Sequence, residues 1–474
     1  MEEILQRIAT PQATVKTAPR PAGSGGAAAP HASLSVLDGV AILIGIVVGI
    51  GIFRTPQIVA ANVGSEFAFI AVWIAGGLVT LVGAFIYAEL GSAHPHTGGE
   101  YHYLDRAIGR PLALLFAWAR LTVIQTGAIA AVAFVFGDYA QEIMPLGPAG
   151  PAIYAATAIL VFTGVNLVGS RQSRSLQIFF SVLTIGCVVM IAILGLTLGG
   201  GSAEPAATTG PSSAGAIGLA MVLILLTYGG WNEAAYLSAE MKDVRRNMPR
   251  VLALSVLTVM AIYFLVNLAF LHVLGLEGLR ESDVVAAETL RRLFGPGASL
   301  TVAVIVCLAA LSTLNATIFI GARLYYSIGR DLPLLGRIGT WEERTDMPSN
   351  AILAQSAIAL LLVGLGAGTR VGFQAIVEYT APVFWFFLLM VGISFFVLRE
   401  REGERPNAFR APLYPLTPAI FCLTCAYLLY SSLVYTGLGA LVGVGVLLAG
   451  LPFVLLGRRT APAKAPAKLA TREG

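Results

Sequence analysis

The sequence predicts an all-α polytopic membrane protein of about twelve transmembrane helices, the first and sixth of them broken partway through the bilayer. Three observations lead there. Of 474 residues, 57% are hydrophobic and 12% charged, with a mean hydropathy of +0.79, a balance suited to lipid rather than water. Apolar runs recur along the whole chain, each near the roughly 20 residues that cross a bilayer. Two of these runs are interrupted by glycines.

The runs fall near 36–62, 67–92, 112–143, 151–169, 175–199, 214–240, 250–274, 297–329, 350–368, 372–398, 414–432 and 436–457. Basic residues sort the loops between them. One set carries His94 to Arg110, then Arg171 and Arg174, then Lys242, Arg245, Arg246 and Arg250. It continues with Arg330, Arg337 and Arg344, with Arg399 to Arg410, and with Arg458, Arg459, Lys464 and Lys468. The alternate loops at 62–66, 144–150, 200–213 and 433–436 hold no Lys or Arg. The positive-inside rule then puts both termini in the cytoplasm of a plasma (inner) membrane protein. The exception, 275–296, mixes Arg280, Arg291 and Arg292 with Glu277, Glu281, Asp283 and Glu288, and reads as a surface helix pair.

Residues 1–34 are polar and rich in Ala, Pro and Gly, without the apolar core of a signal peptide. They are expected to form a disordered cytoplasmic tail, followed by a membrane domain at 35–457 and a basic tail at 458–474. A net charge of +4 spread over short loops is not a nucleic-acid footprint. Cys187, Cys307, Cys422 and Cys425 lie inside apolar runs and read as buried small side chains. His94, His96 and His102 cluster in one loop with no acidic or thiol partner at ligand spacing, so neither a metal nor another cofactor is expected.

The first break is Gly45-Ile46-Val47-Val48-Gly49-Ile50-Gly51-Ile52-Phe53-Arg54-Thr55-Pro56. Glycines here weaken helix propagation where no water can satisfy a freed backbone group, so a break persists only beside protein or a cavity. Parting near Gly49 and Gly51 aims the N–H groups of Ile50, Gly51 and Ile52 at the gap, a place for a carboxylate. Carbonyls ending the upstream half, around Gly45, Ile46, Val47 and Val48, suit an ammonium or a coupling cation. Gly45-xxx-Gly49 taken alone reads first as a helix-packing motif. The second break, Tyr228-Gly229-Gly230-Trp231-Asn232-Glu233, tips the reading toward a carrier site.

Other polar residues are open to two readings. Ser312, Thr313, Asn315 and Thr317 on the eighth span either bond backbone carbonyls or complete a cation site. Glu233 either caps the second half-helix, or faces a cationic substrate, or takes up a proton; Asn232 or a tyrosine is its expected partner. Glu378, Tyr379 and Thr380 mark a gate or an interfacial anchor, Glu89 reaches an interface, and Pro249 suits the start of the seventh helix.

Gly-x-Gly-Ile-Phe at 49–53, Gly-Gly-Glu-Tyr at 98–101, Tyr-Gly-Gly-Trp-Asn at 228–232 and Arg-Asn-x-Pro-Arg at 246–250 together resemble the amino acid–polyamine–organocation superfamily, in its L-type bacterial branch. The likeness covers nearly all of the chain after residue 35. It implies five helices repeated upside down as the next five, two appended helices, and alternating access for an amino acid. It also implies that the substrate carboxylate meets Ile50 and Gly51, and its amino group the carbonyls around Ile46, Val47, Leu226 and Gly229. Three positions depart from the family pattern. Ile50 stands where a serine is usual. Leu226 replaces an aromatic gate, leaving occlusion to Trp231 or Tyr228. Thr184 replaces a lysine that stands in for a cation.

The reading is therefore a secondary amino acid transporter, an exchanger or proton-linked symporter. A cationic amino acid or polyamine carrier is the near alternative. A membrane enzyme lacks any Ser/His or paired-carboxylate set in one apolar region. A channel lacks a repeated ring of selectivity groups. Relatives with a disulfide-linked heavy subunit use an outward-facing cysteine, which none of the four provides, so a monomer or weak homo-oligomer is expected.

Overall fold

Lipid offers the backbone no hydrogen-bond partner, so every apolar run must close its own N–H to C=O ladder. The computed structural model describes residues 30–199, 214–282, 284–295, 297, 299–368, 381–403 and 409–459. Among these, nine unbroken helices are long and apolar enough to cross a membrane, and two bent pairs raise that to eleven. The last of the nine, Leu416–Leu455, is 40 residues long, twice what a bilayer needs. It breaks at Gly437, whose φ is +52°, and so supplies two spans. Twelve spans result, in the predicted order.

The bent pairs are the first and sixth spans. Val36–Val47 meets Gly51–Asn62 at 49°, and the 214–227 helix meets Trp231–Glu240 at 40°. The other spans are Glu66–Ala93, Arg110–Ile143, Gly150–Val168, Ser170–Leu198, Val244–Glu281, Ser299–Asp331, Ser349–Gly368 and Ala381–Glu402. Spans five apart in the chain pack against each other: second on seventh, third on eighth, fourth on ninth, and Gly51–Asn62 on Ala214–Thr227. That pairing is what two superimposed five-helix repeats produce.

Ser35 starts the first span through a capping box, accepting from the Asp38 N–H while Asp38 accepts from the Ser35 N–H. The fold begins just before it. Leu34 is buried and pairs with the end of the sixth span, its N–H donating to Glu240 O and its carbonyl accepting from Lys242 N. Leu34, the last residue of the expected tail, is held by these two backbone bonds. Residues 1–29, the loop 200–213, Glu378 to Thr380 and residues 460–474 lie outside the described residues.

Two expectations shift. The seventh helix starts at Val244 rather than at Pro249, because Asp243 takes a left-handed conformation and its carbonyl accepts from Arg246 and Asn247. Glu89 is not an interfacial anchor alone: it accepts from Arg399 and from the Ala411 N–H, tying the second span to the tenth and to the chain before the eleventh. The seventh helix kinks at Gly275, φ +67°, and Val285–Phe294 follows, giving the helix pair expected at 275–296.

Candidate substrate site at the two breaks

Val36–Val47 stops because Val48 adopts φ −79° and ψ 71°, after which Gly49 N–H turns back to Val47 O at 2.8 Å. The helix resumes at Gly51, and the next backbone bond is Phe53 N–H to Ile50 O. Among the described residues no backbone bond uses the N–H of Ile50, Gly51 or Ile52. Three donors at the positive end of a half-helix are thus left without a backbone partner, the kind of place where an anion is stabilised.

The second break turns on Gly230, whose φ of +107° belongs to the left-handed region. A β-carbon there would stand 2.3 Å from Ile46 Cγ2, so only glycine lets the two breaks cross this closely. Tyr263 of the seventh span fastens them. Its hydroxyl donates to Val47 O at 2.7 Å, with Thr227 O at 3.3 Å also in reach, so one group serves the carbonyl ends of both upstream halves. Its ring packs edge-on against Trp73 and tilted against Tyr228.

Between the breaks lies a cavity of about 300 Å³, lined by Ile46, Val47, Gly49, Ile50, Gly51, Thr55, Val132, Leu223, Leu226, Thr227, Gly229 and Thr313. Seven predicted substrate residues thus meet around one space, and no charged side chain lines it. The remaining ones lie elsewhere. Ile52 is buried in the core, and Tyr228 stacks on Trp73 and Tyr263. Trp231 packs on Tyr87 and Phe421, and with Asn232 borders a separate 30 Å³ void. Neither Trp231 nor Tyr228 is placed to cover the cavity in this conformation; Leu226, 43% exposed, stands at its wall.

Of the residues read as a possible cation site, Thr313 Oγ1 donates to Gly45 O at 2.9 Å. Ser312 accepts from the Gln177 amide, which also donates to Ser181, and Ser181 in turn donates to Ala41 O. Gln177 occupies the space beside Gly45, where a β-carbon would meet its Nε2 at 1.9 Å. Val48 is buried, and among the described residues the buried Thr184 Oγ1 has no hydrogen-bond partner. Asn315 joins the fourth and fifth spans through Asn166, Ser173 and Gln177.

Glu233 is the clearest departure from expectation. Its partner is Arg120 of the third span, not Asn232 or a tyrosine. Arg120 is 3% exposed and begins a π-helical turn, Arg120–Ile124, a geometry that re-aims a side chain within a helix. It also donates to Glu100 at 3.1 Å and Gln125 at 3.0 Å. Glu100 belongs to the Gly-Gly-Glu-Tyr segment, which does not merely cover the face of the bundle. Its helix Glu100–Ala107 inserts Glu100 beneath the second break, where Tyr87, Tyr236 and Asn232 also donate to it. Nearer the end of the sixth span, Glu240 and Arg323 form a fully buried bidentate pair at 2.6 and 2.7 Å. Arg120, Arg323, Thr55, Thr227 and Tyr263 were not singled out by sequence reasoning. For the arginines a signal existed, since a charge inside an apolar run is costly and marks a buried partner or a pathway.

The loop histidines lie beside this network. His96 and His102 stack at 4.1 Å, and burial, followed by the neighbouring His96, Arg106 and His94, pushes His102 down to about 3.

Paired broken helices crossing around a cavity define a membrane carrier. The sequence model described as amino acid permease matches residues 34–456, and the chain belongs to that family. It is 29% identical over 409 residues to the b(0,+)-type amino acid transporter 1 of Mus musculus, covering 85% of this chain and 82% of that protein. It is 26% identical over 427 residues to the serine/threonine exchanger SteT of Bacillus subtilis, covering 88% and 95%. To the large neutral amino acids transporter small subunit 2 of Oryctolagus cuniculus it is 27% identical over 452 residues, covering 93% and 83%. The protein is a multi-pass membrane transporter of amino acids, and not an enzyme.

Proposed function

We propose that the 300 Å³ cavity binds a neutral amino acid between the two breaks and passes it across the membrane by alternating access, by exchange or with a proton. The carboxylate sits on the N–H groups of Ile50, Gly51 and Ile52, and the ammonium lies toward the carbonyls around Ile46, Val47, Leu226 and Gly229. The observation that carries this reading is the set of N–H groups at Ile50, Gly51 and Ile52 that no backbone bond uses, beside the close crossing of the two broken spans at Gly230. An apolar wall of Ile46, Val47, Ile50, Val132, Leu223 and Leu226 supports an uncharged substrate side chain. Against the cationic alternative, Glu233 is engaged by Arg120 and does not line the cavity.

The cavity adjoins Gly51–Asn62 and Ala214–Thr227, while Leu34, Glu240 and Arg323 tie down the opposite halves. With both termini cytoplasmic, as the loop charges favour, this is an outward-facing arrangement in an inner membrane. We take 35–457 as the transport domain, acting as a monomer or weak homo-oligomer without a disulfide-linked subunit.

A thermal-shift screen of the purified protein over the twenty amino acids identifies the ligand, since a compound at 100 times its Kd adds about 2.7 kcal/mol to native stability. Uptake of that amino acid into proteoliposomes then tests the site. A side chain at 51 meets Thr227 at 3.0 Å, so Gly51→Leu is expected to abolish uptake while the protein still inserts. Native-rate transport by Gly51→Leu places the substrate elsewhere.

A further inference from the structure

Two carboxylates and one guanidinium meet under the second break, and their charges sum to one negative. The two acids are unequally served. Glu100 accepts from Tyr87, Tyr236, Asn232 and Arg120, so both of its oxygens are satisfied. Glu233 shares Arg120 through Oε1, and among the described residues its buried Oε2 has no hydrogen-bond partner. An ionised carboxylate with one oxygen buried and unserved is costlier than a neutral carboxyl, and a proton is the smallest species that removes the excess charge.

The two partners stand on elements of opposite character. Glu233 is in the 3-10 turn Trp231–Glu233 that opens the second half of the sixth span, directly after the left-handed Gly230 at the break. Arg120 is fixed to the third span and held by Glu100 and Gln125. The hinge that must turn for access to alternate therefore carries one carboxylate toward or away from a stationary cation. The charged and titratable groups around Glu233 are Arg120 from the third span, Glu100 from the inserted helix, Tyr87 from the second span through Glu100, and Tyr236 from its own helix.

Resting on the transport reading above, we propose that Glu233 binds a proton from one aqueous side and releases it to the other in each cycle, with Arg120 as the positioning residue. Proximity to Arg120 favours the ionised carboxylate, and separation favours the protonated one. A proton held in one access state and not the other moves with the amino acid by thermodynamic linkage.

The test uses the full chain in proteoliposomes containing a trapped pH-sensitive dye, with a mixture of twenty radiolabelled L-amino acids outside. Native protein is expected to acidify the interior as it takes up label, and an imposed inward proton gradient is expected to drive accumulation. Glu233→Gln, close in shape, is expected to keep exchange between preloaded and external amino acids but to lose proton movement and gradient-driven accumulation. Uptake by the native protein without acidification overturns the proposal. So does acidification that persists in Glu233→Gln, or loss of exchange in a Glu233→Gln protein that elutes as the native does. Should that variant fail to insert, the native flux measurement decides alone, and Glu233→Asp is expected to retain proton movement with a displaced pH midpoint. A native protein that moves no amino acid contradicts the transport reading instead.

Discussion

The hydroxyls of Thr55 and Thr227 lie 2.7 Å apart and join the two half-helices that border the cavity. Thr227 spends its own proton on Leu223 O at 2.9 Å, so Thr55 is the donor between them. Both residues line the cavity between the breaks. Thr55→Val, which keeps the shape and deletes the donor, is expected to cost about 1 kcal/mol of stability. Because it loosens two elements that must move together, it is also expected to lower uptake of the ligand found by thermal shift. An unchanged melting temperature and rate would show that the pair contributes nothing.

Tyr263 serves the carbonyl ends of both upstream half-helices with one hydroxyl. Tyr263→Phe preserves the ring against Trp73 and Tyr228 but leaves buried carbonyls without that donor, a loss of about 1–3 kcal/mol. Tyr228→Phe changes less, since among the described residues the only bond of its hydroxyl is a 3.4 Å contact with Trp73 O. Melting temperatures of the two variants in one detergent make the comparison.

Glu240 and Arg323 are both fully buried, so each is the other's replacement for water. Arg323→Met leaves Glu240 as an unpaired buried acid and is expected to destabilise by about 3–5 kcal/mol. The double variant Glu240→Leu, Arg323→Met is expected to recover much of that, because removing both charges removes the desolvation cost as well. A double-mutant cycle of unfolding free energies reads the coupling, and strict additivity would contradict it.

His102 supplies a pH dependence whose sign follows from burial. Its folded value, about 3, lies below the 6.5 of a free imidazole, so the folded state favours the neutral ring. The unfolded chain binds more protons between those limits. Stability is therefore full above about pH 6.5 and declines toward pH 3, with about 2 kcal/mol lost between pH 7 and 5. His102→Gln is expected to flatten that decline, measured as melting temperature against pH.

Hydropathy and glycine placement made much of the architecture legible. The twelve apolar runs, the breaks at Gly49–Gly51 and Gly229–Gly230, and the helix pair after Gly275 were all readable, because each is set by residues adjacent in the chain. Seven of the predicted substrate residues gather round the cavity for the same reason: a local break exposes local backbone. Partners were not legible. Glu233 was expected to bond Asn232 or a tyrosine, its neighbours along the helix, yet it found Arg120 at 113 residues' distance.

By itself, then, the sequence determined where helices run, where they part and which backbone groups are set free there, since lipid enforces local hydrogen bonding and glycine releases it. Tertiary structure alone decided which charges cancel: Arg120 between Glu100 and Glu233, and Arg323 on Glu240. It also decided that Tyr263 and Thr55 fasten the two breaks while Trp231 and Tyr228 turn away from the cavity. The reason is that helix rotation and approach are set by packing among spans far apart in the chain, and a buried charge takes whichever counter-ion that packing brings within reach.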